Sequence, residues 1–188
     1  MFYHASPIKG LKILVPHVSN HGRPFVYMSS KRENVLVYLS NAVEKYCREA
    51  GLVYSGVYYR WASYGFNSDG ILVLEEYYLN ATADTYKGVS GFIYTADKPE
   101  NYTNQVDIPF SVISESPVKI AGCEEVPDAY DAIMDAAENG SIIVKSFEQN
   151  SKNKLEWIKR TATMEYEKAE NHPEYRAFLR AKFPFCVQ

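Results

Sequence analysis

Residues 70–95 read GILVLEEYYLNATADTYKGVSGFIYT, and two apolar runs in this stretch decide the fold class. Ile71 to Tyr78 is a strand-length run, opened by the turn signal Asn67-Ser68-Asp69-Gly70. Gly91-Phe92-Ile93-Tyr94-Thr95 is the second, rich in aromatic and β-branched residues that suit a pleated surface. Between them only residues 80–87 have room for a helix. A parallel crossover takes a dozen or more residues, whereas antiparallel strands accept shorter connections. The stretch therefore predicts an α+β chain with an antiparallel-leaning or mixed sheet, not a doubly wound parallel one.

The same punctuation continues on both sides. Downstream, Phe110 to Ser114 and Pro117 to Ala121 read as strands separated by a kink near Glu115-Ser116-Pro117. Asp128 to Asn139 reads as a helix with Gly140 at its end, and Ile142-Ile143-Val144 as a strand or a buried helical turn. Residues 152–182 read as helical, interrupted at His172-Pro173. Upstream, residues 1–6 read as a short strand and residues 7–24 as mostly loop, broken by Pro7, Gly10, Pro16, Gly22 and Pro24. Phe25-Val26-Tyr27-Met28 is a buried strand. Ser30-Lys31-Arg32-Glu33 has the form of a capping box, and Val35, Leu36, Leu39, Ala42, Val43, Tyr46, Cys47 and Ala50 keep a three-four spacing. One helix over residues 31–50, closed by Gly51, is the expectation.

The whole is 188 residues, 46% hydrophobic and 23% charged, with a net charge of −3. That suits one globular domain, with residues 127–188 a mainly helical extension of a core over 1–126. The charge gives no reason to expect DNA binding. No apolar run reaches bilayer length and the N-terminus lacks a signal-peptide pattern, so a cytoplasmic protein with no membrane partner is expected. Cys47, Cys123 and Cys186 are far apart and form no C-x-x-C pair, so no disulfide framework or zinc site is indicated. His17 and His21 stand four apart, but in a Pro- and Gly-punctuated loop without the rigid geometry of a metal pair. G-x-G-x-x-G, G-x-x-x-x-G-K-[ST] and G-x-S-x-G motifs are all absent.

Tyrosine is over-represented, at 16 residues. Most belong to sheets and core, since the ring is apolar and only its tip is polar. Two stand in a pattern with His4. Phe2-Tyr3-His4-Ala5-Ser6, then Pro24-Phe25-Val26-Tyr27-Met28-Ser29, then Tyr38, follow one another in order. In this the chain resembles the diphtheria-toxin-like ADP-ribosyltransferase superfamily, the class that holds the poly(ADP-ribose) polymerases. The likeness covers residues 1–50, with strand order extending it to about residue 125.

The resemblance implies a split sheet with packed helices and NAD as the bound substrate. It implies that His4 bonds a ribose of NAD, that Ala5 and Ser6 belong to the same motif, and that Tyr27 and Tyr38 sandwich the nicotinamide. Such rings attract a pyridinium cation beyond simple stacking. Activity would be transfer of ADP-ribose to an acceptor. The alternative is an inactive module that keeps the groove for nucleotide binding or protein interaction. A relative acting on RNA 2′-phosphate ends fits less well, for want of clustered arginines. The chain departs from the family at Ala5, where glycine is usual, and at Val35, where the polymerase-like members carry a hydroxyl. Aligning Ser114 to Val118 with the end of the later strand puts Phe110 near the family's catalytic glutamate. Asp107 and Glu115 are then the neighbouring carboxylates, neither at the family's spacing.

Overall fold

A computed structural model describes residues 1–18, 22–56, 61–99 and 101–187. Its strands are β1 (Phe2–Ser6), β2 (Ile13–Leu14), β3 (His17–Val18), β4 (Pro24–Ser29), β5 (Ala62–Phe66), β6 (Leu72–Glu76), β7 (Gly91–Ala96), β8 (Thr103–Asn104), β9 (Ser111–Ser114), β10 (Val118–Val126) and β11 (Ile142–Lys145). The α-helices are α1 (Ala42–Glu49), α2 (Ala81–Tyr86), α3 (Ala129–Glu138), α4 (Lys152–Lys168) and α5 (Pro173–Lys182). The chain is thus α+β. It divides into two compact units, one of Met1–Leu39, Gly65–Leu72 and Tyr86–Ile143, the other of Ser40–Tyr64, Val73–Thr85 and Val144–Gln188. Of the stretch expected as a helical extension, α3 lies in the first unit and α4 and α5 in the second.

The first unit is an eight-stranded sheet in the order β2-β10-β7-β1-β4-β9-β8, with β3 added beside β4. Each pairing registered in it is antiparallel, as the short connections require. Phe2, Leu14, Val26, Met28, Ala96, Val112 and Val118 form a core on one sheet face. β10 shifts register between Ile120 and Gly122. A Cβ at Gly122 would stand 2.6 Å from Thr95 Oγ1, so the irregularity needs glycine. The α3 helix starts where Asp128 accepts from the amides of Tyr130 and Asp131, and the chain leaves it through Gly140 at φ 79°.

The described residues of 7–24 are mostly loop as expected, and one expectation for residues 31–50 changes. The loop of residues 7–24 contains the two-residue strands β2 and β3. The expected helix over residues 31–50 is two elements: a 3-10 segment Glu33–Tyr38, then α1. Arg32, not Ser30, occupies the first N-cap, and it makes no side-chain cap bond. Asn41 explains the break. Its backbone is extended (φ −127°, ψ 133°), and its side chain accepts from Val43 and Glu44 amides, which starts a new helix. Periodicity alone does not register such a cap inside an apolar stripe.

The second unit packs α1, α4 and α5 around aromatic rings. Val43, Cys47, Trp61, Tyr78, Ile158, Phe178 and Phe183 are among its buried residues. Trp61 donates to the Tyr175 hydroxyl at 2.7 Å, so the buried indole nitrogen is satisfied. Glu76 is buried as well. Its Oε1 accepts from the Thr82 amide at 2.8 Å and its Oε2 from the Phe147 amide at 3.2 Å, which offsets removing the carboxylate from water. Glu76 belongs to β6, the middle strand of a three-stranded sheet ordered β11-β6-β5. Among the described residues no helix is long and apolar enough to cross a membrane.

Candidate functional site

Strands β1 and β4 lie side by side in the first unit. Their register pairs Tyr3 with Ser29. Continuing it would put Ala5 opposite Tyr27, but the registered pairing stops. The direction of the main-chain groups can be worked out from the other edge of β4. Ser30 N–H donates to the Phe110 carbonyl at 2.9 Å, so Ser30 faces β9. By alternation Ser29 and Tyr27 face β1, and Tyr3 and Ala5 face β4. Where Ala5 would have closed the ladder, a side chain intervenes: His4 Nδ1 donates to the Tyr27 carbonyl at 2.8 Å.

That bond fixes the imidazole. A carbonyl oxygen can only accept, so Nδ1 carries the hydrogen and Nε2 of the neutral ring carries the lone pair. Nε2 has no hydrogen-bond partner among the described residues. Burial pushes the His4 imidazole below its ordinary value of 6.5; the Tyr27 bond opposes this and nearby His17 adds to it. The neutral ring is therefore the dominant form at pH 7, and it presents an acceptor to any hydroxyl brought to it.

The other residues of the motif are placed as follows. Ala5 is buried and pairs with Ile93 of β7. Ser6 is buried and its hydroxyl accepts from the Ile8 amide at 3.2 Å, which turns the chain out of the strand. The Tyr27 ring packs edge-on against Phe25 at 6.0 Å. Strand alternation puts it on the face of Tyr3 and Ser29, opposite the His4 ring. Tyr38 ends the 3-10 segment Glu33–Tyr38 and is 57% exposed. That segment is anchored on the Tyr27 side of the sheet: Arg32 reaches both carboxylate oxygens of Glu124, which pairs with Ile93, the partner of Ala5. The Arg32 guanidinium holds the Glu124 carboxyl below its usual range. The structure brings His4 to the backbone of Tyr27, puts the Tyr27 ring and the segment bearing Tyr38 on one side of the sheet, and leaves the His4 ring on the other.

Of the two candidate carboxylates, one is ion-paired and the other is exposed in a turn. Glu115 pairs with Arg23 at 2.8 Å, both side chains mostly exposed. Asp107 is exposed, in the turn between β8 and β9. Phe110 was expected to open the strand, which instead starts at Ser111. Phe110 takes φ 63°, a left-handed conformation costly for a large side chain. Its ring lies under Lys31 Nζ, 4.0 Å from the centroid. Gly70 approaches the same ring so closely that a Cβ there would stand 3.0 Å from it. No sequence signal marks Phe110 as left-handed, since glycine and asparagine are the usual occupants. Of the histidine pair, His17 lies in β3 and is exposed, and His21 lies outside the described residues.

Two cavities among the described residues are lined without His4. One of about 580 Å³ in the first unit is lined by Asp97 to Pro99, Ser114 and Pro117 to Ala121 among others; one of about 390 Å³ in the second unit is lined by Tyr77, Tyr78, Phe147, Phe183 and Phe185 with others. Among the described residues no three His, Cys, Asp or Glu side chains stand together as a metal site would need. No family model, no curated protein and no solved structure matches the chain.

Proposed function

We propose that the chain binds NAD at the gap between β1 and β4, and that it cleaves NAD slowly or not at all. The observation that carries the reading is the bond from His4 Nδ1 to the Tyr27 carbonyl. It stands where the ladder stops after Tyr3–Ser29, beside the main chain of Ala5 that alternation turns toward β4, and leaves Nε2 as an acceptor for a ribose hydroxyl. A primary amide such as the nicotinamide carboxamide, with N–H donors beside a carbonyl acceptor, matches a strand edge of this kind. Tyr27 and the segment that carries Tyr38 share one side of the sheet and the His4 ring lies on the other, so a ligand held by all three passes between β1 and β4, with the pyridinium on the tyrosine side.

The positions of the carboxylates favour the module over the transferase. Breaking the bond between ribose and nicotinamide builds positive charge on the ribose, and a carboxylate aimed at it stabilises that charge. Glu115 is paired with Arg23, and Phe110 stands just before β9. Stacking and the His4 bond do not need the carboxylate, so binding survives its loss. A missing charge stabiliser costs on the order of 10²–10³ in rate. Transfer of ADP-ribose to an acceptor is accordingly slow or absent. The test is a nicotinamide-release assay beside a binding titration, for the native chain and for Tyr38→Ala. The expected result is binding weakened by Tyr38→Ala with little nicotinamide released. Rapid release by the native chain would show that a carboxylate reaches the site.

A further inference from the structure

The His4 face of the sheet carries a second ordered group. The register of β1 with β7 pairs His4 with Tyr94 and Ser6 with Phe92. Cross-strand partners share a face, so His4, Ser6, Phe92 and Tyr94 project together. The Phe92 and Tyr94 rings confirm this, with centroids 6.4 Å apart. Over them lies the turn that follows β1. The Tyr94 hydroxyl donates to the Ile8 carbonyl at 2.6 Å and accepts from the Leu11 amide at 3.2 Å, so one buried ring ties down both ends of the turn. Gly10 within it has φ 80°, a conformation that glycine adopts without cost. The remaining residue of the turn is Lys9. Its ammonium stands over Phe92, 5.7 Å from the ring centroid.

Lys9 lies on a ring as Lys31 does and, like Lys12, makes no ion pair among the described residues. Arg23 is paired with Glu115, Arg32 with Glu124, and Lys31 lies on Phe110. Lys9 is exposed, and among the described residues no carboxylate is within salt-bridge distance of it. The chain has no Asp or Glu before Glu33, and the acidic residue that the sheet brings beside Phe92 on this face is Glu125, which makes no ion pair with Lys9. Phe92 is two strand positions from Tyr94, which stands beside His4, and two positions span ~7 Å. That separation is comparable to the one between a ribose hydroxyl and the phosphate on the same sugar.

We infer that Lys9, held over the sheet by Tyr94, takes the pyrophosphate of the dinucleotide whose ribose His4 binds. Lys9 is then the residue that selects phosphate-bearing ligands, and Tyr94 is a positioning residue that acts through the turn. The inference rests on the NAD reading above. An ammonium meeting a phosphate forms a charge-assisted hydrogen bond, stronger than a neutral one and weakened by salt.

Calorimetric titration of the full chain with NAD, ADP and nicotinamide riboside, at low and moderate salt, tests it. Lys9→Met is expected to weaken NAD and ADP about tenfold, the loss of one charge-assisted bond. It should leave nicotinamide riboside, which has no phosphate, unchanged, and flatten the salt dependence. Lys9→Arg should restore NAD binding. Tyr94→Phe should weaken NAD while riboside binding holds, which a general loss of folding would not do. If Lys9→Met binds NAD and ADP as the native chain does, the role of Lys9 is overturned and the NAD reading stands. If the native chain binds none of the three, both are overturned.

Discussion

At the scale of single residues, the account turns on a histidine whose ring replaces a rung of the sheet. His4 Nδ1 is held by the Tyr27 carbonyl, and burial keeps the ring neutral. Two consequences follow for pH. The imidazole titrates below 6.5 in the folded chain and at its ordinary value when unfolded. The unfolded chain therefore takes up this proton first. The stability contribution is complete above about pH 6.5 and is lost as pH falls from there through the folded value. Binding obeys the same sign, since a protonated ring has no lone pair at Nε2 for a hydroxyl. NAD affinity should be level from pH 7 upward and fall on the acid side of 6.5. Following the His4 ring resonances against pH checks this, and a midpoint above 6.5 would contradict it. The order of the sequence singled out His4, Tyr27 and Tyr38; the structure brings His4 to the Tyr27 backbone and leaves its ring on the other side of the sheet from the Tyr27 ring. The Tyr94 hydroxyl and the left-handed Phe110 were not legible in the sequence, because one depends on a turn 83 residues away and the other on its neighbours' packing.

At the scale of elements, most strands could be read because turn residues bound them. Asn67 accepts from the Asp69 and Ile71 amides, Gly70 has φ 72°, and β6 begins two residues later. The short helix, the kink before β10 and the break at His172-Pro173 were equally marked by their own residues. The segment of residues 31–50 was misread for a physical reason. The apolar spacing runs unbroken through Leu39 and Ala42, while the first element closes at Leu39 and a single asparagine, Asn41, starts the next. Asn41→Ala removes the acceptor of two amides, and caps of this kind are worth about 1 kcal/mol. The variant should unfold at lower denaturant with unchanged slope, and amide exchange should quicken first at Val43 and Glu44. Exchange at the native rate would show that the break is held by something else.

At the scale of the whole molecule, the order of elements along the chain did not reveal two units. Each is assembled from three separate stretches, so neither composition nor any linker marks a boundary. What the sequence could tell was the antiparallel sheet, which follows from connections too short for parallel crossovers. The first unit contains the whole of the proposed site: His4, Ala5, Tyr27, Tyr38 and Lys9 all lie within Met1–Leu39. The central claim, that this unit binds NAD through His4, is tested most directly by calorimetric titration of NAD into the native chain and into His4→Ala at pH 7.5. Saturable binding by the native chain, weakened at least about tenfold in His4→Ala, is the predicted result. No heat of binding at millimolar NAD, or equal affinity in the two proteins, would contradict it.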